Sequence, residues 1–317
     1  MVEPILGGEP LAEEREGQAE AAPPARGGWG FEEGDEIAPR RLAVRLLGGG
    51  ERYETYLAWD EHLLALVVVK VVRPSLVEDE HSLRGLAAES ELAQRLRHPV
   101  VVRGFDAVLD GPRPHLVLEH LEGPRLSRVI RKQGSLDPEQ LLPLGLQLCS
   151  ALHYLAEEGV VHLDTKPSNV ILGAPARLID LSIARTLDDL RTVTHRIGTD
   201  AYMAPEQCDP EHLGPMTSAA DVWGMGATLF HAAAGRRPFP KGSRDGSREE
   251  RFPQLREEPE PLPTTVEPEV GDLILACLAF EPDERPAAAE AAEQLERLVD
   301  GLPRRPVLSR FHIRPRR

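Results

Sequence analysis

From Arg40 onward the chain is built of short apolar runs broken by turn residues. RLAVRLLGGG (41–50), ETYLAWD (54–60), LLALVVVKVV (63–72), VVVRGFDAVLD (100–110) and HLVLEHLEG (115–123) are rich in Val and Leu. Their length and their Gly, Asp and Pro boundaries predict the strands of a small antiparallel sheet. Between them, SLRGLAAESELAQRLRH (82–98) sets Leu83, Leu86, Ala87, Leu92, Ala93 and Leu96 on one stripe and predicts a helix. After Glu122 the period turns helical. DPEQLLPLGLQLCSALHYLAEEG (137–159) predicts a long helix capped by Asp137, with Pro138 in its first turn and Gly159 past its end. TSAADVWGMGATLFHAAAG (217–235) has no polar face and predicts a buried helix, and GDLILACLAF and PAAAEAAEQLERLVDG predict two more. The pattern implies an α+β architecture, with a β-rich lobe at about 40–121 and a larger helical lobe at about 122–302.

The two ends lack this texture. Residues 1–39 hold ten acids and two arginines amid repeated Gly and Pro, so they are expected to form a disordered acidic arm. Residues 303–317 hold six arginines and no acid, an Arg-rich tail. The whole chain of 317 residues carries a net charge of −15, which argues against nucleic acid as its main partner. Cys149, Cys208 and Cys277 fit neither a disulfide framework nor a zinc site, so a reducing cytoplasm is the expected location. The longest apolar stretch, Leu63 to Val72, is interrupted by Lys70 and is too short to insert in a membrane.

Candidate chemistry concentrates in HLDTKPSN (162–169) and RLIDLS (177–182). Asp164, Asn169 and Asp180 are oxygen-bearing side chains flanking a short apolar strand, suited to hard divalent cations and to accepting a proton from a hydroxyl. Upstream, LLGGGERYET places three glycines between two strands, where backbone can approach phosphate closely. Lys70 stands in an apolar strand, and a lysine so placed needs a partner; Glu89 on the following helix is the candidate.

In order along the chain, GGGERYET, VVVK, Glu89, LEHLEG, HLDTKPSN, DLS, GTDAYMAPEQ, DVWGMG and PDERP resemble the motifs of eukaryotic-type serine/threonine protein kinases of bacteria, from about Arg40 to Val299. The resemblance implies a bilobal protein-kinase-like fold and ATP-dependent phosphoryl transfer to Ser or Thr of proteins, autophosphorylation included. It implies that Gly48 and Gly50 cover the ATP phosphates and that Lys70, paired to Glu89, holds the α- and β-phosphates. Backbone groups of Glu119 and Leu121 would bind adenine. Asp164 would orient the acceptor hydroxyl and take its proton, Lys166 would steady the transferring group, and Asn169 and Asp180 would hold Mg²⁺ or Mn²⁺. Thr199 lies in the substrate-binding loop. Glu206 and Arg285 would form a buried ion pair, Asp221 would brace the catalytic loop, and Thr192 and Thr194 would be phosphosites. Protein substrates are the implied partners, and a homodimer is compatible with the family.

Five positions depart from the family pattern. Tyr53 replaces a loop glycine and Thr55 the valine over adenine, which should loosen nucleotide affinity. Leu163 replaces the arginine that meets an activation-loop phosphate, so switching through that pair should be absent. Leu181 and Ser182 follow the metal-binding aspartate in place of Phe and Gly. These changes leave a pseudokinase, a nucleotide-binding or scaffold module, as the alternative. Lysine usage points the other way: 33 of the 37 basic residues are Arg, yet Lys70 and Lys166 are both Lys. Blind placement would produce that about 1% of the time, and a planar guanidinium does not replace a compact ammonium against phosphate.

Overall fold

The computed structural model describes residues 27–302. They fall into two compact units, one of residues up to Arg84 with Ala107–Val117, the other of Gly85–Asp106 with the chain from Leu118. The division expected at 121/122 therefore lies at Val117/Leu118, and residues 85–106 group with the larger unit. The reason is local. Val102 N–H donates to Leu178 O at 2.9 Å and Leu178 N–H donates to Val100 O at 2.6 Å, which ties the segment before β5 to the larger unit.

Strands β1 (Glu36–Ala38), β2 (Arg41–Gly49), β3 (Tyr53–Asp60), β4 (Ala65–Val72), β5 (Gly104–Val108) and β6 (His115–Glu119) form one sheet in the order β1-β2-β3-β4-β6-β5. The β1–β2, β2–β3 and β3–β4 pairs are antiparallel. Alternation directs one face inward: Val67, Val69 and Val71 pack with Ile37, Ala43, Tyr56, Ala58 and Val117. Lys70 therefore lies on the opposite face, half-buried, with Thr55 as its cross-strand neighbour and its Nζ 4.9 Å from the centre of the Tyr53 ring. The strand that reads as all-apolar in sequence has two distinct faces, and the lysine occupies the one away from the core. Tyr53 also donates its hydroxyl to Ser82 O at 2.7 Å, in the first turn of helix α1 (Glu80–Arg95).

The disorder expected for residues 1–39 does not hold for residues 27–39. Residues 1–26 lie outside the described residues, as do 303–317 of the Arg-rich tail. Residues 27–39 are folded: β1 pairs with β2, and Trp29 and Phe31 pack against the sheet core. Two aromatics bury enough apolar surface to hold a segment whose neighbours are mostly Gly and Glu.

The larger unit is helical: α2 (Leu126–Gln133), α3 (Pro138–Glu157), α4 (Ser218–Ala234), α5 (Pro268–Cys277) and α6 (Ala288–Asp300). Helix α4 is buried at 13 of its positions, from Ala220 through Ala233, as its mostly apolar sequence predicts. Thr217 caps it by accepting from Ala219 N, and Gly235 ends it at φ 70°. Asp137 holds the N-cap position of α3, but its side chain makes no capping bond. Its carbonyl instead accepts from Gln140 and Leu141 N–H. Short pairs β7 (Val160–Val161) with β10 (Arg185–Thr186), and β8 (Val170–Ile171) with β9 (Arg177–Leu178), frame the loops that carry the candidate chemistry.

Candidate active site

The segment His162–Asn169 leaves β7 and is held from beneath by α4. Asp221, in the first turn of α4, accepts His162 N–H at 2.6 Å and Leu163 N–H at 2.8 Å. Burial pushes the Asp221 carboxyl up, and the His162 ring with these two N–H groups opposes that rise. Leu163 is buried and has φ 65°, a left-handed conformation uncommon for a branched side chain. Its carbonyl accepts from Gln207 Nε2 at 2.9 Å, so both sides of the strained residue are fixed. At Gly224 a Cβ would lie 3.0 Å from the Thr165 carbonyl oxygen, so a larger residue would push the loop off α4 by a few tenths of an ångström.

The chemistry-bearing groups converge on one carboxylate. Lys166 Nζ donates to Asp164 Oδ2 at 2.6 Å and to Thr199 Oγ1 at 2.6 Å. The Thr199 hydroxyl donates to Asp164 Oδ1 at 2.7 Å. Asn169 Nδ2 donates to Asp164 O at 3.0 Å and to Asp164 Oδ2 at 2.9 Å. With its amide nitrogen committed to Asp164, the Asn169 side chain turns its oxygen the other way. Ile179 N–H donates to Asn169 O at 2.8 Å, and β8 pairs with β9, so Asp180 follows directly beside Asn169 across this pair. Asp180 has φ 71°, a conformation that Asp tolerates better than most residues. A carboxylate and an amide oxygen on adjoining backbones form a hard-oxygen donor set, and Mg²⁺ commonly takes one or two protein oxygens and completes its shell with phosphate and water. The residues fit such an ion.

The other predicted residues are placed as follows. Arg285 and Glu206 form a two-pronged pair at 2.7 and 2.9 Å, with side chains 0% and 1% exposed. Arg285 also donates to Ala279 O, Ala219 O and Phe280 O and lies over the Trp223 ring at 5.0 Å. Leu181 is buried, filling an apolar slot. Thr192 and Thr194 are exposed. Glu119 N–H is engaged with Arg103 O at 3.0 Å and so is not available to a ligand. The Glu119 carboxylate accepts Arg103 N–H and pairs with Arg177. Gly48 and Gly50 lie in the β2–β3 hairpin, Lys70 on β4, and Glu89 is buried on α1.

A cavity of about 490 Å³ opens beside Lys166 and Thr199, lined also by Arg131, Tyr202, His231 and Arg237. None of the residues lining it is acidic. Tyr202 OH lies 2.7 Å from His231 Nδ1. Burial holds the His231 ring below the usual histidine range, with Arg237 adding to the effect. In the loop from Gly198 to Pro205, Asp200 is matched by Arg251 at 2.9 and 3.2 Å, so its charge is already balanced. Sequence reasoning found neither Arg251, 51 residues on from Asp200, nor Gln207 as a buried clamp.

The family model described as protein kinase domain matches residues 42–295. The chain belongs to the protein kinase domain family. It is 36% identical over 243 residues to the serine/threonine-protein kinase PkaA of Streptomyces coelicolor, covering 74% of this chain and 44% of that protein. It is 31% identical over 271 residues to the serine/threonine-protein kinase PknB of Mycobacterium leprae, covering 81% of this chain and 43% of that one. A probable serine/threonine-protein kinase, PkwA of Thermomonospora curvata, is 35% identical over 263 residues, covering 82% and 34%. The chain thus matches less than half the length of each of these relatives. The fold is the α+β, bilobal fold of protein kinases, with the sheet in one lobe and the helices α2–α6 in the other. Among the described residues, no helix is long and apolar enough to cross a membrane.

Proposed function

We propose that the chain is an active ATP-dependent serine/threonine protein kinase. The observation that carries this reading is the convergence of Lys166, Asn169 and Thr199 on the Asp164 carboxylate, where Thr199 already presents a threonine hydroxyl at 2.7 Å. An acceptor serine or threonine in that place donates its hydrogen bond to Asp164, which aims an oxygen lone pair at the γ-phosphorus. As the oxygen–phosphorus bond forms, the bond to the leaving ADP oxygen breaks and Asp164 receives the hydroxyl proton. Lys166, 2.6 Å from Asp164, steadies the transferring group with a compact positive charge. Asn169 and Asp180 are the residues that would hold Mg²⁺ or Mn²⁺, which offsets the charge on the phosphate oxygens. By resemblance, Gly48, Gly50 and Lys70 serve the phosphates, Glu89 serves Lys70, and the Glu119 carbonyl with the Leu121 backbone serves adenine. Asp221, Glu206 and Arg285 are structural. Thr192 and Thr194 are exposed acceptors for autophosphorylation. Three buried free cysteines are compatible with a cytoplasmic enzyme.

Incubation of the full chain with labelled Mg·ATP tests the reading, with Lys70→Met and Asp180→Asn as references. Wild type should label itself or a generic protein at a rate at least about 10²-fold above both. Equal labelling by all three would instead support the pseudokinase.

The lining of the cavity beside Lys166 gives the acceptor a character. Arg131 and Arg237 are exposed and make no ion pair among the described residues, while Asp200 is balanced by Arg251. Peptides carrying Asp or Glu near the acceptor should therefore have KM about threefold to tenfold lower than Lys-bearing counterparts. The gap should shrink at high salt and in Arg131→Ala/Arg237→Ala. Equal KM for both peptides at low salt would remove the acidic preference.

A further inference from the structure

The residues just N-terminal to β1 connect to the glycine-rich hairpin through a buried ion pair. Trp29 N–H donates to Glu54 Oε2 at 3.0 Å, and Trp29 Nε1–H donates to Val72 O at 2.8 Å. The Trp29 ring stacks on Phe31 at 5.6 Å, Phe31 meets the Tyr56 ring edge-on at 5.4 Å, and the Arg113 guanidinium lies over both Trp29 and Phe31. The strap is thus fixed on its apolar and its polar side.

Glu54 is 2% exposed, so its charge needs full compensation. Besides Trp29 N–H, it accepts Tyr56 OH at 3.0 Å and Arg73 Nη1 at 3.0 Å. Burial and the hydrogen bond to Glu54 push the Tyr56 phenol up to about 12, so it remains a donor. Arg73 in turn reaches the hairpin: its Nε donates to Gly50 O at 2.7 Å, while its backbone N–H donates to Arg52 O at 2.9 Å. Gly50 N–H closes the turn on Tyr53 O at 3.0 Å. The guanidinium therefore has one nitrogen on the Glu54 carboxylate that anchors the strap and another on the hairpin carbonyl. Its planar fork fixes both at once, which a lysine in that place would not do.

We propose that the strap Gly28–Phe31 is a positioning element for nucleotide binding, acting through Glu54 and Arg73 on the hairpin that carries Gly48 and Gly50. It rests on the proposed kinase activity for its consequence, but not for its mechanical link. Gly28 is the sensitive point. A Cβ there would fall inside contact distance of the Glu54 carboxylate, while its φ lies outside the left-handed range, so alanine is compatible with the backbone and displaces only the carboxylate. Trp29 is a positioning residue and touches no reacting atom.

The test compares full-length wild type, Gly28→Ala and Trp29→Phe by Mg·ATP titration, by steady-state kinetics and by amide hydrogen exchange at residues 48–52. Gly28→Ala is expected to raise the Kd and KM for ATP about fivefold to tenfold, with kcat and the KM for a protein acceptor within about twofold of wild type. Exchange at residues 48–52 should quicken in the same variant. Trp29→Phe keeps the stack and the backbone bond to Glu54, and should stay within about twofold of wild type in ATP affinity. Should Gly28→Ala not fold, Trp29→Ala carries the comparison, with the same direction expected. A variant that loses thermal stability yet keeps wild-type ATP affinity and wild-type exchange at residues 48–52 overturns the proposal, leaving the strap a structural brace. If wild type itself neither binds nor turns over Mg·ATP, the kinase reading fails, and the exchange comparison still decides whether the strap governs the hairpin.

Discussion

Asp164→Asn is expected to lower the turnover number for phosphoryl transfer by about 10²–10⁴-fold while ATP affinity stays within about twofold of wild type. The substitution preserves shape but leaves one acceptor oxygen where Thr199 and Lys166 donate to two, and an amide takes up no proton as the acceptor oxygen attacks. It also removes the negative partner of Lys166, 2.6 Å away, so the ammonium loses the charge that aims it. Because both effects belong to the transition state, kcat should fall and the KM for ATP should not rise in proportion. Single-turnover quench-flow with a saturating protein acceptor measures the chemical step directly. Retention of more than about a tenth of the wild-type rate would show that Asp164 is not the proton acceptor.

Arg285→Ala should cost about 3–5 kcal/mol of stability, enough to threaten folding at ordinary temperatures. The guanidinium donates to both oxygens of Glu206 and to three backbone carbonyls, with the pair's side chains 0% and 1% exposed. Truncation would strand a carboxylate and three carbonyls without water to replace the lost donors. The double change Arg285→Met with Glu206→Leu removes both charges and should recover a large part of the loss, since an apolar pair of similar volume often equals a buried ion pair. Urea unfolding of the three proteins measures this. A loss below about 1 kcal/mol for Arg285→Ala would mean that the pair contributes no more than a surface one.

Much of the catalytic loop was legible because its residue types are unusual for their surroundings. A lysine in a chain that otherwise uses arginine, and an aspartate, asparagine and aspartate around a two-residue strand, have few structural explanations. Helix α4 was legible to within a residue at each end because its apolar run has no polar face. The strap was not legible. Trp29 and Phe31 stand in an acidic, glycine-rich stretch with no period of 2 or 3.6, and only their aromatic character in a chain with 4% aromatics hinted at burial. Glu54 and Arg73 escaped for a related reason: each reads as an ordinary surface charge beside a turn, and the partner lies 19 residues away. The face of Lys70 was not legible because an apolar run conceals its period of two; the register against β3 shows it. Capping by Asp137 follows a statistical preference that the local geometry did not use.

Helix α4 has a consequence for how the larger lobe loses its structure. It has almost no solvent-facing side, and the chemistry-bearing loop hangs from it through Asp221 and through the contact at Gly224. Amides in such a helix are released by global unfolding rather than by fraying, so the loop has no independent local melting of its own. Loss of phosphoryl transfer on heating and collapse of the helical lobe are then one cooperative event.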